Sequence, residues 1–148
     1  MDALDGISET HNRTDIKTLK VALDGVRILL IDDDEDDAMI AQDHLARIPG
    51  KTYHVDWAST FQVGITALLE QQHDICFLDY CLDKSTGLGL LSEASKSDCT
   101  VPIIMISGTT DSTLRNEAME LGAADFLFKS EVNSYGLERA IDQVLARH

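Results

Sequence analysis

The stretch RILLIDDDEDD, residues 27–37, decides the fold because a short apolar run passes directly into six acidic residues. The run is too short for a buried helix and is rich in Ile and Leu, which indicates a buried β-strand. Four more short apolar runs follow along the chain, and together they predict five strands. These runs are YHVDWA (53–58), ICFL (75–78), PIIMI (102–106) and DFLF (125–128).

Amphipathic stretches separate these runs and predict five helices. Parallel strands need crossover connections of about this length, which helices usually supply. We therefore predict an α/β fold: a doubly wound, five-stranded parallel sheet in the flavodoxin-like order 2-1-3-4-5, with helices on both faces. Residues 87–97 form the shortest and least clearly patterned of the five helical stretches. The apolar positions that define the faces of the other four are Ala38, Ala41, Leu45 and Ile48; Phe61, Ile65, Leu68 and Leu69; Leu114, Ala118 and Leu121; and Leu137, Ala140, Ile141, Val144 and Leu145.

Composition limits the functions that the chain can have. The 148 residues suit one domain, and the net charge of −14 argues against binding of nucleic acid or an anionic membrane surface. The apolar runs are far too short to span a membrane. Three cysteines without a C-x-x-C pair, Cys76, Cys81 and Cys99, fit reduced thiols and predict a cytoplasmic protein.

Residues 1–24 differ from the remainder of the chain, because they are mostly polar and carry apolar side chains only towards their end. Ile16, Leu19 and Leu23 follow helical spacing there. We interpret this segment as a partly flexible N-terminal extension with one short helix, and the alternative is a connector or docking helix. Residues 25–148 are predicted to form the domain itself.

Polar residues stand where four of the predicted strands end. Asp32 and Asp33 follow the first strand, Asp79 the third and Ser107 the fourth, while Lys129 closes the fifth. The carboxyl ends of parallel strands meet at one edge of a sheet. These side chains should therefore surround a single crevice at the topological switch point, where the strand order reverses between strands 1 and 3. Each residue alone has an ordinary structural explanation, but their joint placement favours a shared site.

Gathering carboxylates in this way needs a compensating charge. Two like charges about 4 Å apart repel by roughly 4 kcal/mol at an effective dielectric of 20. Lys129 can offset one charge, and Mg²⁺, which prefers oxygen ligands, can offset two. The same set suits phosphoryl transfer to a carboxylate, with cations neutralising the phosphoryl oxygens and Ser107 donating a hydrogen bond to them.

Four segments resemble the signature blocks of the response-regulator receiver domain of two-component signalling. They are RILLIDDDEDD (27–37), ICFLDYCLDKSTGLGLL (75–91), VPIIMISG (101–108) and GAADFLFK (122–129), and the resemblance covers about residues 26–147. The resemblance implies that Asp79 is the phosphoacceptor and that Ser107 and Lys129 contact the phosphoryl group. It implies that Ser107 and Phe126 are the switch residues. The implied Mg²⁺ ligands are Asp32, Asp33, Asp79 and the backbone carbonyl of Cys81, with Asp33 favoured over Asp32 as a direct ligand. One departure is Ser130, because the family commonly has proline after the lysine, often in a cis peptide.

The resemblance also implies a function. The domain would take a phosphoryl group from a sensor histidine kinase or a histidine phosphotransfer protein, and hydrolyse it slowly. It would then act on a separate or C-terminal output domain, or form a homodimer. Its role would be signalling rather than enzymatic. Two alternatives remain: a phosphorylation-independent pseudo-receiver, and a small phosphatase with an aspartyl nucleophile, which Asp32-Asp33-Asp34 formally allows although the chain has no room for a cap.

Overall fold

The central feature is a parallel sheet whose strands run in the order β2-β1-β3-β4-β5. The structure is a computed structural model and describes residues 24–82 and 85–147. The sheet confirms the predicted fold class, strand order and number of strands. The strands are β1 (Val26–Ile31), β2 (Tyr53–Ala58), β3 (Ile75–Asp79), β4 (Ile103–Ser107) and β5 (Asp125–Phe128).

Five helices connect and follow the strands, as the periodicity predicts. A 3₁₀ turn over Lys129–Glu131 follows β5, and the two-residue strands Cys81–Leu82 and Ser85–Thr86 pair after β3. None of the described helices is long and apolar enough to cross a membrane. The helices are α1 (Glu35–Ala46), α2 (Phe61–Leu69), α3 (Gly87–Lys96), α4 (Ser112–Glu120) and α5 (Ser134–Arg147).

Local sequence explains where two of the helices begin and end. The Asp34 side chain caps α1 by accepting a hydrogen bond from the Asp37 amide at 3.1 Å, and Asp111 caps α4 in the same way through the Thr113 amide. Gly122 has a φ of 106°, so it can follow the end of α4 in a conformation that other residues rarely adopt. The acidic run after β1 is thus partly a helix start.

The core has two layers, one on each face of the sheet, because neighbouring strand residues point to opposite sides. β3 and β4 are buried along their whole length, as central parallel strands should be. Leu69 departs from its predicted place on the buried face of α2: it is 38% exposed, since it is the last helical residue. One layer includes Leu29, Ile31, Leu78, Met105 and Phe126, and the other Ile28, Leu30, Phe77, Ile104 and Leu127.

The N-terminal extension predicted for residues 1–24 lies outside the described residues, apart from Asp24 itself. The domain boundary therefore stays a prediction. What the described fold does fix is the position of the polar residues at the strand ends. β1 and β3 are neighbours, and β4 lies next to β3, so the carboxyl ends of all three open onto the same edge of the sheet.

Candidate functional site

Three polar residues are buried at the carboxyl edge of the sheet. Asp32 after β1, Asp79 at the end of β3 and Ser107 at the end of β4 are 7%, 4% and 1% exposed. Within the part of the chain that the structure describes, these three are the buried polar or charged residues. Burying polar and charged groups costs free energy unless they are paired, so their joint burial makes this edge the candidate site.

Asp32, Asp33 and Asp79 form an acidic triad. Each offers a carboxylate oxygen, and these three oxygens lie within 4.8 Å of one another. Asp33 is exposed and forms the mouth, whereas Asp32 and Asp79 form the floor. Oxygen donors at this separation suit a hard divalent cation such as Mg²⁺, which keeps several waters and needs few protein ligands. The triad is the set predicted from the sequence.

Three hydrogen bonds hold Asp32, one through its side chain and two through its backbone. The Asp34 amide donates to the Asp32 carboxylate at 2.9 Å, and the Asp32 amide donates to the carbonyl of Ala58 at 3.1 Å. The indole nitrogen of Trp57 donates to the Asp32 carbonyl at 2.7 Å. Burial, reinforced by the nearby carboxylate of Asp79, raises the pKa of Asp32 to about 7 against the opposing bond from Asp34. A cation bound at the triad would stabilise the ionised carboxylate of Asp32 and so lower this pKa.

Asp79 combines burial with cationic and amide partners. Burial raises the pKa of its carboxyl, whereas Lys129 and a hydrogen bond from the Cys81 amide lower it. Helix α3 begins tightly behind this residue, because the Gly87 amide donates to the Tyr80 carbonyl at 2.6 Å. A Cβ atom at Gly87 would lie 2.6 Å from the Asp79 carbonyl oxygen. The glycine therefore permits the close approach that places Asp79.

Lys129 reaches the site from the end of β5 and contacts helix α1. Its ammonium lies 2.7 Å from the Asp37 carboxylate, and both side chains are partly exposed. The hydrogen bond to Asp37 raises the pKa of Lys129, and the negative charges of Asp79, Asp37 and Asp32 add to it against partial burial. The lysine thus borders the acidic triad, as predicted, with a partner that the sequence did not indicate.

Ser107 and Phe126 lie on neighbouring strands. The Ser107 hydroxyl accepts a hydrogen bond from the Thr109 amide at 3.1 Å, which ties it to the loop after β4. Phe126 is 4% exposed and packs edge-to-face on Phe128, with 5.4 Å between the ring centroids. The aromatic side chain of Phe126 is therefore turned inward and packed within the domain.

Cys81 and Ser130 are the two remaining residues that the resemblance singles out. Cys81 is exposed and begins one of the two-residue strands, two residues after Asp79. Ser130 lies within the 3₁₀ turn after β5. None of the peptide bonds among the described residues is cis, so this chain forms the turn with a trans Lys129–Ser130 bond.

Sequence reasoning missed three residues that shape the site. Asp37 looks like one more solvated carboxylate at a helix start, Trp57 belongs to the edge strand β2, and Gly87 is the first residue of a helix. Their roles depend on a salt bridge to Lys129, a bond to a backbone carbonyl and a close backbone approach. None of these contacts has a local sequence signature.

Comparisons with known proteins agree with this geometry. Residues 28–141 match the family described as the response regulator receiver domain. A CheY-like receiver domain protein from Methanospirillum hungatei is 24% identical, with a TM-score of 0.72 over 82% of this chain and 94% of that chain. A receiver domain protein from Clostridium thermocellum is 28% identical, with a TM-score of 0.69 over 82% of this chain and 95% of that one.

A third relative is longer than this chain. The transcriptional regulatory protein RprY of Bacteroides fragilis is 29% identical over 104 residues, which cover 70% of this chain and 43% of that protein. The chain spans less than half the length of the curated relatives that it matches first. The similarity therefore concerns one domain of those proteins.

Proposed function

The chain belongs to the response regulator receiver domain family, and from this premise we propose that it takes a phosphoryl group from a partner phosphohistidine onto Asp79. A receiver is a signalling domain rather than a conventional enzyme. One observation carries the proposal: the acidic triad has a buried carboxylate at the end of β3, with Lys129 and Ser107 at the ends of the next two strands.

The reaction divides roles among these side chains. A carboxylate oxygen of Asp79 attacks phosphorus, and the bond from phosphorus to the histidine nitrogen breaks, with the electron pair staying on nitrogen. Asp32, Asp33, Asp79 and the Cys81 carbonyl would hold Mg²⁺, which supplies charge neutralisation to the phosphoryl oxygens. Lys129 neutralises further charge, and the Ser107 hydroxyl donates to an oxygen.

Return to the starting state needs only water. Water attacks the phosphorus atom of the acyl phosphate, inorganic phosphate leaves, and the Asp79 carboxylate is restored. Burial of Asp79 limits the approach of water, which favours a slow hydrolysis. The phosphoryl donor is a sensor histidine kinase or a histidine phosphotransfer protein. The output is a C-terminal or separate domain, or a homodimer, in the cytoplasm.

The phosphatase alternative requires Asp34 to work beside Asp32, and the contacts of Asp34 argue against it. Its carboxylate accepts the Asp37 amide as the cap of α1 and is not part of the acidic triad. A pseudo-receiver would lack a competent nucleophile or cation, whereas Asp79 and Lys129 both border this site. These observations favour the phosphoacceptor.

The test is covalent labelling with acetyl phosphate and Mg²⁺, followed by intact mass and hydroxylamine treatment. We expect one phosphoryl group that hydroxylamine removes, and no label in Asp79→Asn. Asp98→Asn is the matched control, because Asp98 is exposed and has a φ of 59°, a conformation that asparagine also adopts. Label in Asp79→Asn, or absence of label in the wild type, would overturn the proposal, and turnover of simple phosphate esters would favour the phosphatase.

A further inference from the structure

The ion pair between Asp37 and Lys129 has no role in the proposed function. The two residues are 92 positions apart in sequence, and their charged atoms lie 2.7 Å apart. Asp37 lies in the first turn of α1, and Lys129 begins the turn after β5. Asp37 is the carboxylate that forms an ion pair with Lys129 in the described part of the chain.

The Lys129 ammonium lies near more than one carboxylate. Asp32, Asp37 and Lys129 line one cavity of about 170 Å³, whose remaining walls include the apolar side chains of Leu30 and Ile106. Asp37 contributes most to the raised pKa of Lys129, and Asp79 and Asp32 contribute less. The lysine and its partner Asp37 thus line the same cavity as Asp32 of the acidic triad.

We propose that Asp37 is a positioning residue that holds the Lys129 ammonium on helix α1, beside the acidic triad, until a phosphoryl group on Asp79 draws it away. The inference rests on the proposed function, because it concerns the same site. With Lys129 paired to Asp37, the triad keeps its negative charge for a cation. A cation and a lysine then reach the phosphoryl oxygens from different sides.

The energetics of the pair suit a contact that can be exchanged. The Lys129 and Asp37 side chains are 42% and 36% exposed, and ion pairs with such exposure contribute little net stability. An aspartyl phosphate adds a charge of about −1.5 to −2 together with strong acceptor oxygens. The phosphoryl group therefore competes successfully with the single, partly exposed carboxylate of Asp37 for Lys129. The strength of the Asp37–Lys129 pair determines how readily the lysine moves to the phosphoryl group.

The experiment compares Asp37→Asn with Asp36→Asn at saturating Mg²⁺. Asp36 is an exposed carboxylate in the same turn of α1, so its variant removes the same charge without removing the ion pair. We expect Asp37→Asn to bind beryllofluoride about two- to fivefold more tightly than Asp36→Asn, the effect of one exposed ion pair. Asp37→Glu, which keeps a carboxylate, should return the affinity towards that of the wild type.

A spectroscopic measurement separates positioning from a general structural effect. The Lys129 Nζ resonance of a ¹⁵N-lysine sample, assigned by Lys129→Arg, should shift when beryllofluoride binds to the wild type. In Asp37→Asn the resonance should start at a different position and shift less. Equal affinities for the two variants, or an unmoved Lys129 resonance in Asp37→Asn, would overturn the inference. A wild type that binds no beryllofluoride would instead overturn the proposed function.

Discussion

The indole nitrogen of Trp57 donates a hydrogen bond to the backbone carbonyl oxygen of Asp32, with 2.7 Å between the two atoms. Trp57 is the only tryptophan of the chain, and it is 40% exposed as the next-to-last residue of the edge strand β2. The bond ties the fluorophore to the residue that forms the floor of the acidic triad. A change in the charge at the triad therefore reaches the indole through a single residue.

The first prediction follows from this bond. Titration of Mg²⁺ into the metal-free protein should change Trp57 fluorescence with a saturating, single-site dependence. Asp33→Ala should weaken the apparent affinity by at least about tenfold, since even loss of an outer-shell partner of a metal site costs 10–100-fold. Asp36→Ala, which removes the same charge from the exposed turn of α1, should change the affinity far less. Equal affinities for these two variants would contradict the assignment of Asp33.

The second prediction concerns the cost of the acidic triad in the absence of metal. Burial and neighbouring carboxylates make an ionised Asp32 unfavourable, and raise its pKa to about 7. Asp32→Asn removes the charge and keeps an oxygen for the Asp34 amide. We expect the free energy of unfolding in EDTA to rise by about 1–3 kcal/mol, while Mg²⁺ binding is lost.

Urea denaturation in EDTA measures this effect. Asp34→Asn is a suitable control, because asparagine caps helices about as well as aspartate and the variant removes one charge from the same turn. Its stability should stay within about 0.5 kcal/mol of the wild type. A destabilised Asp32→Asn would show that the carboxylate is held by contacts worth more than its burial costs.

The third prediction uses two glycines of one helix. A Cβ at Gly87 would lie 2.6 Å from the Asp79 carbonyl oxygen and 3.1 Å from Met105 Cε, whereas at Gly89 the nearest atoms are 3.9 Å away. Gly87→Ala should therefore destabilise the protein by about 1–3 kcal/mol and slow acetyl-phosphate labelling of Asp79. Gly89→Ala should be neutral or stabilising by up to about 1 kcal/mol, because alanine favours helices. Urea unfolding of both variants compares them, and equal stabilities would argue against the close approach.

The fold could be predicted because its pattern is local and repeated. Short apolar runs between amphipathic stretches leave few arrangements other than a parallel sheet, and the strands lie within one residue of the predicted runs at either end. Asp79 and Ser107 are the last residues of β3 and β4 rather than the residues after them. This difference does not move them from the edge, which is why the acidic triad was also predictable.

The partners inside the site could not be predicted in the same way. Lys129 reaches Asp37 because the turn after β5 and the first turn of α1 lie close together at the edge of the sheet. The sequences of these two segments do not show how far apart they lie or which way their side chains point. Trp57 reaches a backbone carbonyl, which every residue possesses. Contacts of this kind depend on the relative position of whole elements, and a single sequence does not encode them in any local motif.

The last prediction concerns how phosphorylation of Asp79 spreads through the domain. Phe126 is buried, packs on Phe128 and has no polar group to offer a phosphoryl oxygen. Ser107 instead links the site to the loop after β4, since its hydroxyl accepts the Thr109 amide at 3.1 Å. If that hydroxyl turns to donate to a phosphoryl oxygen, the amide loses its acceptor and the loop must rearrange. A shift between two such states needs only a few kcal/mol of differential binding.

We therefore expect beryllofluoride to shift amide NMR resonances throughout residues 108–135, beyond the residues that border Asp79. Ser107→Ala should still be phosphorylated, because the nucleophile and the triad remain, but the distant shifts should be blunted. Ser95→Ala, which removes an exposed hydroxyl from α3, should leave them intact. The comparison is decisive because both variants lose one hydroxyl and only one loses the bond to the Thr109 amide. Full distant shifts in Ser107→Ala would mean that the change reaches the loop without this serine.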